Sequence, residues 1–161
     1  MFAVKNGMSE PLLFWRYIAS SLDRLVAILD GLGPDDLDWR PPAPEANSLY
    51  ALAMHTLGNA EENLLGILGG QPIRRDRDGE FATFAAAGVM VASRWEALRP
   101  RLAALLADLP NDALDTPYPH PRRGTISGRD ILIVVARHAA EHLGQADLTR
   151  DLLRAARAHD A

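Results

Sequence analysis

The sequence predicts an all-α fold, a four-helix bundle with long connections between helices 1 and 2 and between helices 3 and 4. Apolar residues recur at helical spacing in four long segments, and prolines mark the connections between those segments. We expect one domain spanning 1–161, because a chain of this length can bury roughly two-thirds of its unfolded surface. No internal repeat or linker divides it.

Helix 1 is predicted from Ser9, a suitable N-cap, to about Leu29, with Pro11 in its first turn. Two glycines follow and end the helical pattern. The proline-rich segment 34–46 is expected to be an ordered loop rather than a helix.

Helix 2 is predicted from Asn47 or Ser48 to about Leu68, where a glycine pair ends it. The mixed-charge stretch 74–78 follows and is expected to be a solvated loop. Helix 3 is predicted over 85–109.

A proline lies inside predicted helix 3, at Pro100, so a kink or break is expected near Leu98. The next segment, 110–124, contains several prolines and is expected to be irregular. Helix 4 is predicted to begin at Ser127–Asp130, which resembles a capping box with Asp in place of Glu, and to continue to about Ala158.

The composition of the chain argues against several classes of function. The net charge of −4 gives no electrostatic reason to expect nucleic acid or an anionic membrane as a partner. The chain has no cysteine, so a metal must be held by His, Asp or Glu and a reacting thiol must come from outside. Neither a signal peptide nor a membrane span is recognisable, since the longest apolar run is Ile131–Ala136; we expect a cytoplasmic protein.

Two of the five histidines, His138 and His142, lie four residues apart in predicted helix 4. Side chains at that spacing lie on one face of a helix, with Cβ atoms about 6 Å apart, and can reach one point. His55 lies on the apolar face of predicted helix 2. Three histidines from two helices suit a metal site with an open position, whereas the alternative is hydrogen-bonded core histidines without metal.

Rival motifs fit less well. His138-x-x-Glu141-His142 matches the inverted zinc-peptidase pattern, but no glutamate follows Glu141 to complete its ligand set. The Glu-x-x-His pairs of di-iron bundles are absent from the sequence. The remaining histidines, His120 and His159, are interpreted as surface residues.

At these residues the chain resembles the DinB/YfiT-like metalloprotein superfamily. Asn47–His55 (NSLYALAMH) is similar to the family's N-S-I-x-x-L-x-x-H opening of helix 2. His138–Gln145 (HAAEHLGQ) is similar to its H-x-x-x-H-x-G-Q motif on helix 4, and Leu37–Pro41 (LDWRP) to the loop before helix 2.

The resemblance implies a four-helix bundle, commonly a homodimer, with one divalent ion held by His55, His138 and His142. Zinc and nickel are the first candidates and iron a further one. Members of known activity are transferases or isomerases in which an external low-molecular-weight thiol, such as mycothiol or bacillithiol, binds the open metal position as thiolate and attacks a small electrophile. The alternative is a non-enzymatic, stress-associated dimer in which the ion is structural.

Many members carry a second histidine directly before the last ligand, where this chain has Glu141. That residue is a candidate catalytic base, a partner for a ligand ring, or a solvated charge. Polar residues at helical spacing from the ligands, Asn59, Glu62 and Gln145, are candidates to shape the cofactor pocket. The adjacent pair at 122–123, both arginines, is interpreted either as a binding site for a substrate carboxylate or as part of a solvated loop.

Overall fold

The computed structural model describes residues 8–85 and 90–159, and within them the fold is mostly helical. The long helices are α1 (Glu10–Ile28), α3 (Leu49–Ala60), α5 (Val91–Asp108) and α6 (Gly128–His159). Helix α3 continues as a π-helical segment, Glu61–Leu68. The prediction of an all-α class is therefore confirmed in its coarse form.

Helix α6 packs along α1 and α3, and α5 packs against α1 and the π-helical segment. Leucine, isoleucine and alanine side chains fill the space between these helices. Completely buried examples are Ile18, Leu22, Leu25, Leu57, Leu64, Leu102, Leu106 and Ile131. None of the helices in the described part of the chain is both long and apolar enough to cross a membrane.

The predicted starts of two helices agree with their capping contacts. Ser48 accepts a hydrogen bond from the Ala51 backbone N–H over 3.2 Å at the start of α3. Before α6, Ser127 Oγ accepts from the Asp130 N–H, and Asp130 Oδ2 accepts from the Ser127 N–H, each over 3.1 Å. This reciprocal pair is a capping box in which aspartate replaces glutamate.

Both long connections contain more regular structure than predicted. A short helix, α2 (Pro34–Asp38), lies in the segment predicted as a loop, with Pro34 in its first turn and acidic residues that favour its N-terminus. The segment predicted as irregular forms an antiparallel hairpin of β1 (Pro117–His120) and β2 (Gly124–Ser127). Gly124, at the start of β2, has a φ of 71°, where a residue with a side chain would be strained.

The third predicted helix begins later than expected in the described residues, because α5 starts at Val91. Part of the predicted start, 86–89, lies outside the described residues. Helix α5 runs through Pro100 as one element, without the break that was one of the two expected consequences. The stretch predicted as a solvated loop instead leads into helix α4 (Arg77–Ala82), which packs against α3.

Candidate metal centre

Three imidazole rings meet between α3 and α6. His138 Nε2 lies 3.0 Å from His55 Nε2 and 3.1 Å from His142 Nε2. The spacing of four residues places the two α6 rings one above the other, and the packing of α3 against α6 brings His55 to them. The structure therefore brings together the three histidines selected from the sequence; metal binding by them stays a prediction.

The nitrogen distances suit a shared ion. Two imidazole nitrogens bound to one zinc at about 2.0–2.1 Å lie about 2.8–3.4 Å apart for bond angles of about 90–110°. One ligand atom from each histidine can be chosen so that all lie within 4.8 Å of one another. Among the described residues, no aspartate or glutamate joins this group.

The number of protons available on the neutral rings also favours a shared ion. His55 Nδ1 lies 3.0 Å from Glu80 Oε2, and His142 Nδ1 lies 2.7 Å from Gln145 Oε1. A neutral imidazole has one N–H, so a ring that donates through Nδ1 presents a lone pair at Nε2. Both lone pairs face His138 Nε2, which can donate to only one of them. A cation accepts all three lone pairs, whereas hydrogen bonds alone leave one close nitrogen pair without a proton.

The local environment favours neutral rings. Burial, followed by the neighbouring His142 and His55, lowers the pKa of His138 to about 2. Burial also lowers the pKa of His142, against the opposing effect of its hydrogen bond to Gln145. Both rings are therefore deprotonated and available as ligands at neutral pH. His138 Nδ1 is buried and has no hydrogen-bond partner in the described structure.

The sequence prediction missed the residues that hold His55. Both residues belong to helix α4. Glu80 places its carboxylate against the His55 ring, and the Phe81 ring packs on the same ring with 4.2 Å between the ring centroids. Burial alone would raise the pKa of Glu80, but hydrogen bonds from His55 and Arg75 outweigh it and hold this pKa below its usual value. Glu80 is thus ionised while almost completely buried.

The solvated loop predicted at 74–78 is wrong at Arg75, whose side chain is only 5% exposed. Its guanidinium binds both oxygens of Glu80 over 2.8 Å, the His55 carbonyl oxygen over 3.1 Å and Glu62 over 3.0 Å. Buried guanidinium groups need such partners, because the desolvation of the charge is otherwise uncompensated. A pattern of alternating charges gives no sign of this, since it is also typical of exposed loops.

The other candidate site residues lie in different surroundings. Glu62 is paired with Arg75 and Arg122, which lower its pKa despite the raising effect of burial. Asn59 is buried, and its Oδ1 has no hydrogen-bond partner in the described structure. Glu141 is half exposed and lies 3.6 Å from Arg137. A catalytic role for Glu141 and pocket roles for Asn59 and Glu62 stay predictions.

The interpretation of His120 as a surface residue is wrong. Its ring is buried against the π-helical segment, where Nε2 lies 3.1 Å from Asn63 Oδ1 and Nδ1 accepts from the Arg122 N–H over 3.1 Å. Burial first, then Arg122 and Arg123, lowers its pKa. The hairpin, absent from the prediction, is the element that carries this histidine inward. His159 is exposed, as interpreted.

A mostly helical chain with three histidines converging from two helices is a candidate metal-binding helical protein. The chain belongs to the DinB superfamily, whose family model matches residues 17–146, and the resemblance noted from its motifs is confirmed. It is also similar to a solved structure described as the conserved protein of locus from Enterococcus faecalis, at 15% identity and a TM-score of 0.75, with 92% of this chain and 99% of that chain covered. At that identity the similarity shows the fold alone. No curated protein matches the sequence.

Proposed function

We propose that this chain binds one divalent metal ion through His55, His138 and His142 and acts as a metal-dependent transferase or isomerase that uses an external low-molecular-weight thiol. The observation that carries the proposal is the pair of close Nε2 contacts on His138, since hydrogen bonds can satisfy only one of them. The first candidates for the ion are zinc and nickel, then iron, all of which accept imidazole ligands.

An open coordination position supports chemistry over a purely structural ion. Structural zinc sites are usually closed by a fourth protein ligand. Glu62, the residue that could have closed this one, is held by Arg75 and Arg122 instead. A cation held by three neutral imidazoles would supply Lewis acidity, which favours thiolate over thiol. The chain itself has no cysteine, so the thiol would be a second substrate.

A groove whose lining residues include neighbours of His55 and His142 in the helices, but not the three histidines themselves, is a candidate site for the electrophile. It has a volume of about 340 Å³ and lies between the loop 41–47 and α6. Leu52, one turn before His55, and Gln145, which holds His142, both line it. Its other lining residues are largely apolar, among them Pro44, Leu148 and Leu152. This lining favours a small apolar substrate over a strongly charged one.

The first test is metal content. We expect tag-free protein to contain about one divalent ion per chain by elemental analysis, or to take up one when metal-free protein is titrated. The His138→Ala/His142→Ala double variant is expected to lose it. A matched control is His159→Ala, which removes an exposed histidine from the same helix and should retain the ion. Absence of binding in the wild type after reconstitution would overturn the metal proposal.

A cobalt-substituted protein separates catalysis from a structural role. An open site predicts that an added thiol changes the visible spectrum, because sulfur replaces solvent at the ion. Thiol-dependent turnover of a panel of electrophiles should then disappear in the metal-free protein. A bound ion whose spectrum is insensitive to thiols would favour the alternative, a non-enzymatic dimer in which the ion is structural.

We also propose a homodimer. Large apolar side chains are exposed on α1 at Leu13 and Tyr17 and on α6 at Ile133, and a partner subunit would cover such side chains. Sedimentation equilibrium should give twice the chain mass of 17.6 kDa. A single monomeric species at micromolar concentration would contradict this part of the proposal.

A further inference from the structure

The carboxylate of Glu80 rests directly on helix α3, at the one position near His55 where that helix has no side chain. A Cβ atom built on Gly58 would lie 1.9 Å from Glu80 Oε1 and 2.8 Å from its Cδ. Non-bonded contacts of a Cβ atom are essentially never as short as these distances. The Glu80 carboxylate can therefore occupy this position only because residue 58 is glycine. Gly58 follows His55 by three residues, which places both on the same side of the helix.

Arg75 fixes the carboxylate in that place. Its Nε donates to Glu80 Oε1 and its Nη2 donates to Glu80 Oε2, each over 2.8 Å, which is the two-point pairing that orients a carboxylate most strongly. Glu62 holds the other side of the guanidinium over 3.0 Å. The orientation of Glu80 is therefore set by neighbours on three segments of the chain.

The same contacts determine the tautomer of His55. Nη2 of Arg75 has two hydrogens, and its contacts with Glu80 Oε2 and the His55 carbonyl oxygen use both. None remains for His55 Nδ1, which lies 3.2 Å from Nη2. The ring nitrogen must then be the donor to Glu80 Oε2, 3.0 Å away, because two lone pairs at that distance would repel. Nε2 is left with a free lone pair directed at His138.

We propose that Glu80, seated on Gly58 and clamped by Arg75, is a positioning residue that holds His55 in the tautomer with a free Nε2 and so prepares this ring for a metal ion. The purpose assigned to Glu80 rests on the proposed metal-binding function. The contacts among Glu80, Arg75 and His55 do not depend on it. A carboxylate behind a ligating imidazole also makes the ring a stronger donor and partly balances the charge of the ion. Among the described residues, Glu80 supplies the only carboxylate within hydrogen-bond distance of one of the three histidine rings.

Two variants test the proposal from different directions. Glu80→Gln keeps the shape of the side chain but removes its charge and weakens the Arg75 clamp. Gly58→Ala changes no charge and no ligand but displaces the carboxylate by steric contact. The matched control is Gly144→Ala, a helical glycine two residues after His142 where a Cβ would meet nothing within 4 Å.

Two measurements are made on each protein. Nitrogen-15 NMR of the histidine rings in metal-free protein reports which nitrogen of His55 carries the proton, because protonated and bare ring nitrogens resonate in well-separated regions. Competition with a chelator reports the metal affinity. We expect Nδ1–H in the wild type and in Gly144→Ala, and a mixture of tautomers in both test variants. Metal affinity should fall about 10- to 100-fold in the test variants.

The outcomes are separable from those of the proposed function. If the wild type binds no metal, the proposed function fails, while the NMR measurement on metal-free protein still decides the tautomer. Unchanged His55 signals in Glu80→Gln and Gly58→Ala would overturn the inference even if metal binds tightly. A loss of affinity with unchanged signals would also overturn it, since the effect would then come from charge or folding alone. Circular dichroism establishes that each variant is folded before either measurement.

Discussion

The two sides of the candidate metal centre are built differently. On the α3 side, His55 is 4% exposed, and its second ring nitrogen contacts an ionised carboxylate that is itself clamped by a buried arginine. On the α6 side, the second ring nitrogen of His142, Nδ1, contacts a neutral amide, Gln145, at an exposed position, and His138 Nδ1 has no partner in the described structure. His55 is thus held by side chains from other segments, whereas His138 and His142 are held mainly by their own helix.

This difference shows that motif strength and structural support are separate properties. The two α6 histidines form a recognisable pattern because a single helix supplies both rings at a fixed spacing. His55 on α3 is held by groups distant in sequence, so the residues that support it form no local sequence pattern. The support also extends beyond the ligand: Glu62 joins Arg75 to Arg122 of the hairpin, and Asn63 joins the same helical segment to His120.

The largest expected effect is the loss of stability on replacing Arg75 with methionine. The carboxylates of Glu80 and Glu62 are almost buried, and this change removes the cation that pairs with both of them. Removing one member of a buried ion pair typically costs about 3–5 kcal/mol. We therefore expect the free energy of unfolding, measured by urea denaturation, to fall by about that amount.

The matched control is Arg137→Met on the α6 side. Arg137 pairs with Glu141 at 3.6 Å, but both side chains are more than half exposed. Exposed pairs contribute about 0–1 kcal/mol, so this variant should unfold at nearly the wild-type urea concentration. Equal losses of unfolding free energy in the two variants would contradict the contrast between the α3 side, held by buried ion pairs, and the α6 side, which lacks them in the described structure.

The next largest effect concerns metal affinity on the α6 side. Gln145→Leu removes the acceptor of the His142 Nδ1–H, yet this position is exposed and water can replace the amide oxygen. We expect metal affinity to fall by less than about tenfold, below the range expected for Glu80→Gln. Gln71→Leu is the control, because Gln71 contacts Arg101 rather than a ligand histidine. A larger loss in Gln145→Leu than in Glu80→Gln would reverse the proposed order.

Much of the fold could be predicted because helices are encoded locally. The Ser48 cap, the Ser127–Asp130 capping box and the apolar stripes mark helix starts and inward faces without knowledge of the rest of the chain. The three histidines were selected for the same reason, since each lies on a predicted inward face. Their convergence needed only that α3 and α6 be neighbours.

The remainder depends on contacts between distant segments. Glu80 reaches His55 across 25 positions in the sequence, and His120 reaches Asn63 across 57. A charged stretch such as 74–78 has the same composition whether it is solvated or buried against partners, so only tertiary structure distinguishes the two states. The hairpin was missed because the prolines in 110–124 were interpreted as irregular structure, although edge strands tolerate proline.

The smallest expected effect tests whether His120 adds to the contact that Arg122 makes between the hairpin and the α3 side. Because burial and the nearby arginines lower the pKa of His120, the unfolded chain takes up a proton at this residue before the folded chain does. The stability that neutral His120 contributes is thus fully present above the unfolded pKa of about 6.5. It is lost as the pH falls below that value toward the lower folded pKa. His120→Gln, which cannot titrate, should lack this dependence.

The stability difference between wild type and His120→Gln should therefore shrink by up to about 1 kcal/mol between pH 7.5 and pH 5.5, measured by urea denaturation at each pH. The other ionisable groups are the same in both proteins, so their contributions cancel in the difference if they are independent of position 120. His159→Gln makes the same chemical change at an exposed position and should alter stability by no more than about 0.5 kcal/mol. A difference that stays constant with pH would mean that His120 only fills space, and that the Glu62–Arg122 pair carries the charged contact between the hairpin and the π-helical segment. A difference that shrinks as expected would show that neutral, buried His120 adds to the contacts between the hairpin and the π-helical segment that continues α3.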